Sequence, residues 1–378
     1  MKIGCITTSI IPSKTANSIQ AVKVVHALRQ LGHDVHLWVP EFQKSDWETI
    51  AHTYGILQQF PISWIPFHRE LKQYDFSWKA VQKARQWGAD IIYTWTLQSA
   101  FFASLKKIVS VMEFHDFPMG FMGPNLFRWL MASSTPKLIM CTTNALAEGI
   151  EEQYNIHFSD TTLQIAPNGT DPERYDHLPD PEDCRNQLGL TNAFTVGYTG
   201  HFYAGRGMSL LMDIAKNMPH VQFLWVGGQD EDIRPWQDKL SRLSIENVHI
   251  TGFIPNSQLP LYQGAADILL MPYGKKIAGS SGGDISRVIN PMKMFDYLGT
   301  GRPIIASEIP VFHEILDSET TLFCNPEIGE EWVAAIHYLK ENEEIRQQMS
   351  SCALEKAKIY SWKNRASISL QKVNRLLQ

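Results

Sequence analysis

Twice along this chain, short β-rich runs alternate with amphipathic helical stripes, and this alternation limits the fold more than any other feature. The first series opens with KIGCITT, a buried-strand pattern at residues 2–8. SIQAVKVVHALRQLGH follows, with Val22, Val25, Ala27, Leu28 and Leu31 along one stripe and Gly32 at its end. DVHLWVP, DIIYTW, KIVSVMEF, KLIMCTT and TLQIAPNG continue the strands. A second series begins at AFTVGYTG and runs through VQFLWVGG, NVHITGF, DILLMPY, RPIIAS and TTLFC. Strands separated by helices pair in parallel, and the crossing helices cover both faces of the sheet. The expected class is therefore α/β, with two doubly wound, Rossmann-like domains facing a central cleft. Ligands in such sheets sit beyond the carboxyl ends of the strands.

The chain has 378 residues, too many for one ordinary core. The expected domains are residues 1–170 and 194–360. Between them, PNGTDPERYDHLPDPEDCRNQLGL is rich in proline and acids and reads as a linker over 171–193. The tail, SWKNRASISLQKVNRLLQ, reads as a helix with no strand after it, over 361–378. Hydrophobic content of 44% with 19% charged residues suits a packed core and excludes wholesale disorder. A net charge of −5 gives no reason to expect a nucleic-acid partner. The five cysteines are scattered and odd in number, which predicts reduced thiols in a cytoplasmic setting. The opening MKIGCITTSIIP is too short and too interrupted for a signal peptide, and no run is long enough for a membrane span.

Four motifs carry chemistry. The first strand–helix turn, TTSIIPSKTANSIQ, lacks G-x-G-x-x-G, and no acid closes the next strand, so a nicotinamide dehydrogenase is disfavoured. Thr15, Asn17 and Ser18 offer hydroxyl, amide and helix N-terminal groups to an anion or sugar, and plain helix capping is an equally good reading. In YTGHFYAGRGMSLL, Gly200 ends a strand and Arg206-Gly207 opens a helix, an arrangement suited to a diphosphate. In SGGDISRVINPMKMFDYLGTGRP, Gly282 and Gly283 form a loop, Asn290 caps a helix and Pro291 starts it. Lys293 and Asp296 then share a helical face. The lysine suits a phosphate. The acid suits ribose hydroxyls, because phosphate would repel it. The competing reading is an exposed helical ion pair. In EFHDFPMG, Glu113, His115 and Asp116 stand at a strand's carboxyl end, which favours function. Metal binding is poorly supported there, since no second His or Cys lies at ligand spacing.

The aromatic run FPMGFMGPNLFRWLMA, residues 117–132, suits an acceptor or membrane surface, or simply a packed loop and helix. Residues 1–170 carry 14 Lys and Arg against 13 Asp and Glu. That balance is too even for a polybasic docking domain. The packed reading is preferred, with room left for a weak peripheral membrane contact.

Taken in order, ALRQLGHDVHLW, PNGTDPERY, GYTGHFYAGRG, FLWVGG, VHITGFIP, ADILLMPY, PMKMFDYLGTGRPIIAS and YSWKNRA resemble the retaining GT-B glycosyltransferases of family 4 over nearly the whole chain. The resemblance implies hexosyl-type transfer with retention from a nucleotide-sugar donor. It needs no metal and no cofactor beyond the donor as co-substrate. The donor would bind the C-terminal domain. A sugar, lipid-linked or small-molecule acceptor would be held by the N-terminal one, with Thr15, Asn17 and Ser18 on that side. Arg206 corresponds to the residue that neutralises the diphosphate, with Lys293 adding charge. Asp296 corresponds to the ribose-side acid of a Glu-x7-Glu pattern. Phe253 and Ile254 correspond to the backbone that meets the base, and His115 to the histidine near the transferred sugar. Gly200, His201 and Asn290 complete the donor set.

Two departures stand out. Val288 replaces the first Glu of the pattern, with Asp284 as a nearby substitute. His201 stands where many members carry arginine. They keep a non-catalytic GT-B subunit open beside an active transferase. A GT-B sugar-nucleotide epimerase shares the architecture, and a two-lobed solute-binding protein would need export.

Overall fold

The structure is a computed structural model and describes residues 1–279 and 283–377; Gly282 lies outside the described residues. The chain divides into two compact units, Met1–Asn168 together with residues from Trp362 onward, and Gly169–Ser361.

In the first unit the strands are β1 (Lys2–Ile6), β2 (Asp34–Pro40), β3 (Ile62–Ile65), β4 (Ile91–Thr94), β5 (Val109–Phe114), β6 (Lys137–Cys141) and β7 (Leu163–Ile165). They pair in parallel in the order β3-β2-β1-β4-β5-β6-β7. The helices between them are α1 (Ala16–Gln30), α2 (Trp47–Tyr54), α3 (Tyr74–Trp87), α4 (Leu97–Leu105), α5 (Gly123–Ala132) and α6 (Asn144–Tyr154). Strand β3 is absent from the sequence expectation. It is a four-residue edge strand in which Ile65 alone is buried, so its pattern is too short to stand out.

The second unit has strands β8 (Thr195–Thr199), β9 (Gln222–Val226), β10 (Val248–Ile250), β11 (Ile268–Met271), β12 (Ile304–Ser307) and β13 (Thr321–Cys324). They are also parallel, ordered β10-β9-β8-β11-β12-β13. Its helices are α7 (Pro181–Leu188), α8 (Met208–Asn217), α9 (Asp230–Arg242), α10 (Leu259–Gly264), α11 (Met292–Thr300), α12 (Gly329–Glu341) and α13 (Glu343–Ile359). Its core packs Trp225, Phe223 and Tyr198 from the strands against Leu211, Ile214, Trp332 and Ile336 from α8 and α12. Each sheet reverses its winding once, between β1 and β4 and between β8 and β11. A doubly wound sheet opens a ligand crevice at that reversal.

Residues 171–193, expected as a linker, are ordered and belong to the second unit. They form a 3-10 turn at Pro172–Arg174 and helix α7. The prolines and acids that suggested a linker are a helix start. Pro181 occupies the first turn beside Glu182 and Asp183, and the Asp180 carboxylate accepts from Asp183 N at 3.0 Å. Cys184 is fully buried against Leu224, Val226 and Ala265, and Arg185 pairs with Asp267 at 3.0 Å.

The last helix, α14 (Trp362–Leu377), packs on α1 and β6 of the first unit.

Candidate functional site

The second unit's reversal point is built from glycines. Gly200 ends β8 with φ 139°, and Gly205 and Gly207 follow at φ 79° each. A Cβ on Gly207 would fall 1.7 Å from the Pro272 carbonyl oxygen, and one on Gly205 would fall 2.4 Å from that of Lys276. The loops after β8 and β11 therefore interlock only because these residues lack side chains. Gly205 O accepts from Gly274 N at 3.0 Å. Gly227, after β9, packs against the Gly200 carbonyl in the same way, and Gly227 N donates to Gly252 O at 2.9 Å. The ends of β8, β9 and β10 are thereby drawn together as bare backbone.

Two cations face this junction. Arg206 sits just before α8, whose N-cap is Gly207, and its guanidinium stands 5.0 Å from the Tyr273 ring centroid. Lys293 lies in the first turn of α11. Its Nζ is buried without a hydrogen-bond partner, 3.8 Å from the Tyr198 ring and 5.3 Å from the Tyr273 ring. A Cβ on Gly200 would meet that Nζ at 2.7 Å. Burial holds the Lys293 ammonium well below the usual lysine range, and Arg206 pushes it further down. No carboxylate pairs with either cation among the described residues. Neither α8 nor α11 carries an acid in its first turn. Two cations and two acid-free helix N-termini meet at one place, which is the composition of an anion site.

His201 belongs to this cluster but adds no charge at neutral pH. Burial lowers its pKa, and Lys293 and Arg206 lower it further. Its ring stacks on Tyr203 at 4.7 Å.

Other expected residues fall elsewhere. Asn290 does not cap α11. Pro291 is the N-cap, because its ψ of 129° is extended, and its carbonyl accepts from Met294 N at 3.1 Å. Lys293 and Asp296 do not form an exposed pair, since Lys293 Nζ is buried. Asp296 Oδ1 instead accepts from Thr170 Oγ1 at 3.0 Å. Val288 is buried. The exposed Asp284 accepts through Oδ1 from Ile277 N and Ser286 N at 3.0 Å each. Phe253 and Ile254 follow β10, and Ile254 packs against Leu224, Val226 and Ala265.

In the first unit, His115 follows β5. Its Nε2 lies 2.7 Å from Glu113 Oε1. Glu113 is fully buried and also accepts from Gln20 Nε2 at 2.6 Å, Arg365 Nη2 at 2.5 Å and the Tyr93 hydroxyl. Burial works against the charged Glu113, but Arg365, His115 and Tyr93 overcome it and bring the pKa down to about 2. The ionised carboxylate only accepts, so the Nε2 of His115 carries a proton toward it. Arg365, on α14, also donates to the Pro167 and Ala166 carbonyls at 2.8 and 3.1 Å.

Ser18 is held by the loop before α1. It is fully buried, and its hydroxyl donates to the Ser13 and Thr15 carbonyls at 3.0 and 2.9 Å. Thr15 is the N-cap residue of α1 without a side-chain capping bond, and Thr15 and Asn17 are exposed.

A model described as Glycosyltransferase Family 4 matches residues 18–174, and one described as Glycosyl transferases group 1 matches residues 193–342. The chain belongs to the GT-B glycosyltransferases of family 4 type. Among curated proteins, no sequence matches it. Anabaena Alr3699/HepE, solved in complex with UDP, superposes with a TM-score of 0.75 at 18% identity, covering 99% of this chain and 100% of that one. Sucrose-phosphate synthase from Thermosynechococcus elongatus gives 0.74 at 18%, covering 100% and 99%. A glycosyltransferase from Rickettsia africae gives 0.77 at 13%, covering 100% and 98%. These likenesses establish the GT-B fold, with its two Rossmann-like sheets.

Several groups around this glycosyltransferase's sites are invisible to motif reading. Tyr198 and Tyr273, the rings that face Lys293, sit in or beside strands and read as core aromatics. Gln20, Tyr93 and Arg365 converge on Glu113 from three different elements. Only the run EFHD hinted that a polar cluster existed there. Among the described residues no group of three His, Cys, Asp or Glu side chains is placed to hold a metal ion, and no helix is long and apolar enough to cross a membrane.

Proposed function

We propose that this glycosyltransferase moves a sugar from a nucleoside-diphosphate sugar to an acceptor hydroxyl with retention of configuration and without metal. The unpartnered Lys293 beside Arg206, at the acid-free starts of α8 and α11, carries this reading. As the bond to C1 breaks, charge grows on the leaving diphosphate. Preorganised cations and helix N-termini stabilise that charge without reorganising. The acceptor hydroxyl attacks the oxocarbenium-like sugar from the leaving-group face. His115, whose Nε2 is held by Glu113, is the histidine placed near the transferred sugar in this reading. The acceptor is a sugar, a lipid-linked compound or a small molecule, met in the cytoplasm with at most a weak peripheral membrane contact. HepE has been solved with UDP, with UDP and glucose, and with UDP-glucose, which makes uridine donors the first to try.

Calorimetry with UDP, GDP and ADP in the presence of EDTA tests the binding step. One diphosphate binds in chelator, and loss of every signal there defeats the metal-free reading. Arg206→Ala weakens that diphosphate by about 1.5–3 kcal/mol and leaves the bare nucleoside nearly unchanged. Equal losses would place Arg206 outside the phosphate site. Proton NMR of the sugar first released to water from an α-linked donor shows the α anomer if transfer retains configuration.

Asp296 is proposed as the ribose acid, with Thr170 orienting one of its oxygens. Wild type prefers a ribose over a 2′-deoxyribose diphosphate, and Asp296→Ala loses that preference. Asp296→Asn keeps part of it, since the amide oxygen still accepts. A full preference in Asp296→Ala would make the Thr170 contact its whole role.

One observation favours a second reading. Val288 is buried and apolar, so the residue at that position supplies no acid, and Asp284 holds the loop N–H groups of Ile277 and Ser286 through one oxygen. A non-catalytic GT-B subunit fits that loss. It binds the diphosphate but turns over no donor with any acceptor.

A further inference from the structure

Among the described residues, four side chains donate to the Glu113 carboxylate, and one of them differs from the rest. Gln20 on α1, Tyr93 on β4 and Arg365 on α14 are buried, with 2%, 2% and 6% of their surface exposed. The His115 side chain is 28% exposed. Gln20 Nε2, Arg365 Nη2 and His115 Nε2 converge on Oε1, and the Tyr93 hydroxyl takes Oε2. Arg365 braces the tyrosine as well, donating through Nη1 to its hydroxyl at 3.2 Å. The carboxylate is thus gripped from three elements inside the unit. It passes one hydrogen bond outward, to the histidine just beyond the end of β5.

This arrangement is a poor device for stability. Apolar residues of similar volume match or better a buried ion pair, because taking two charges out of water offsets most of their attraction. Gln20 turns its amide N–H toward the carboxylate, and its own Oε1 is buried with no partner among the described residues. An unsatisfied buried acceptor carries a cost that a cluster built for stability alone avoids. What the cluster does provide is a fixed point. A carboxylate held by a guanidinium, a phenol and an amide cannot swing, so a ring bonded to it keeps one orientation.

We propose that Arg365, Tyr93 and Gln20 are positioning residues for His115, acting through Glu113. This role rests on the reading in which His115 stands near the transferred sugar, and it adds the last helix of the chain to that histidine's setting. Arg365 lies in the first turn of α14, 252 residues beyond Glu113. Its bonds to the Ala166 and Pro167 carbonyls, just after β7, fix the guanidinium before it meets the carboxylate. Helix α14 therefore does more than cover the sheet. With the anchor in place, His115 presents the same edge outward at every turnover. Without it, the ring samples the rotamers of any surface histidine.

The test compares two double variants that remove both charges together, so that neither strands an ion. Glu113→Leu with Arg365→Met, the first, leaves His115 Nε2 no carboxylate to bond. Glu113→Gln with Arg365→Met, the second, keeps an amide oxygen in its place. Nitrogen-15 NMR of the histidine rings in the ligand-free protein follows exchange of the His115 Nε2 proton with water, with the signal assigned by its loss in His115→Gln. The first variant exchanges that proton about tenfold faster than wild type, and the second stays close to wild type. Diphosphate release from UDP-, GDP- and ADP-glucose shows the same split. In the first variant kcat falls about 10- to 100-fold with KM unchanged, and the second recovers most of the loss. Tyr93→Phe keeps the ion pair, removes one brace and speeds the exchange about threefold, so it decides the matter if the first variant does not fold. Nε2 exchange as slow in the first variant and in Tyr93→Phe as in wild type overturns the proposal. So does a kcat that falls alike in both double variants, in step with melting temperature, which is the mark of a purely structural cluster. A wild type that releases no diphosphate defeats the transferase reading instead, and the Nε2 proton still decides whether the cluster holds the ring.

Discussion

Arg365→Met unfolds with about 3–5 kcal/mol less free energy than wild type in urea or thermal denaturation. The cause is Glu113. Its carboxylate is fully buried, and Arg365 is the one full positive charge that contacts it irrespective of pH. Removing Arg365 strands an ionised acid in the core and frees α14 from the Ala166 and Pro167 carbonyls. Glu113→Gln in the Arg365→Met background recovers part of the loss, because both charges then leave together. The pH dependence follows from the same pair. The Glu113 pKa falls from 4.5 in the unfolded chain to about 2 in the folded one. A depressed carboxylate gives its stability above the unfolded value and loses it as pH falls through the folded one. Wild type therefore loses roughly 3 kcal/mol from this group between pH 4.5 and pH 2, and the slope of Glu113→Gln over that window is smaller by this contribution. Denaturation at several pH values measures it, and matching slopes in the two proteins would remove Glu113 from the account.

This network also marks the limit of sequence reading for this chain. Glu113 and Arg365 are 252 residues apart, and no local period connects them. The motif EFHD pointed to a polar strand end, but the burial of Glu113 depends on packing that only the folded chain supplies. The strands read more easily, because parallel strands buried on both faces leave continuous apolar runs. β2 spans the whole of DVHLWVP. Edge strand β3, half-exposed, leaves no such run. Residues 171–193 misled because a capped helix start and a linker share prolines and acids, and only burial of Cys184 separates them. That Arg206, Gly207 and Lys293 lie at one junction of the second unit was legible because glycine turns and helix starts leave short local patterns. Tyr198 and Tyr273 were not, since an aromatic in a strand signals a core first. Ser18 looked like a ligand group because its burial and its bonds to the Ser13 and Thr15 carbonyls leave no sequence signature.

Lys293→Met separates stability from function at the donor site. The free variant is more stable than wild type by about 1–4 kcal/mol, while diphosphate affinity falls on the order of 10- to 100-fold. Methionine matches the lysine stem and places a thioether against the Tyr198 ring in place of an ammonium that no acceptor solvates. Such a lysine is expensive in the empty protein and is offset only when an anion arrives. Its pKa lies well below the ordinary 10.5, so the unfolded chain takes up the proton first as pH falls from 10.5. The destabilisation therefore grows with falling pH until the folded value is passed, and it vanishes near 10.5 and above. The stability gap between Lys293→Met and wild type must narrow as pH rises toward that value. A bound diphosphate raises the same pKa, so binding draws a proton from the buffer wherever Lys293 is partly neutral. Calorimetry in buffers of different ionisation enthalpy reports that uptake in wild type and finds none from this group in Lys293→Met. If Lys293→Met is less stable than wild type at neutral pH yet binds the diphosphate with full affinity, the lysine is a packing element of the Tyr198 and Tyr273 rings. The anion site would then rest on Arg206 and the two helix N-termini alone.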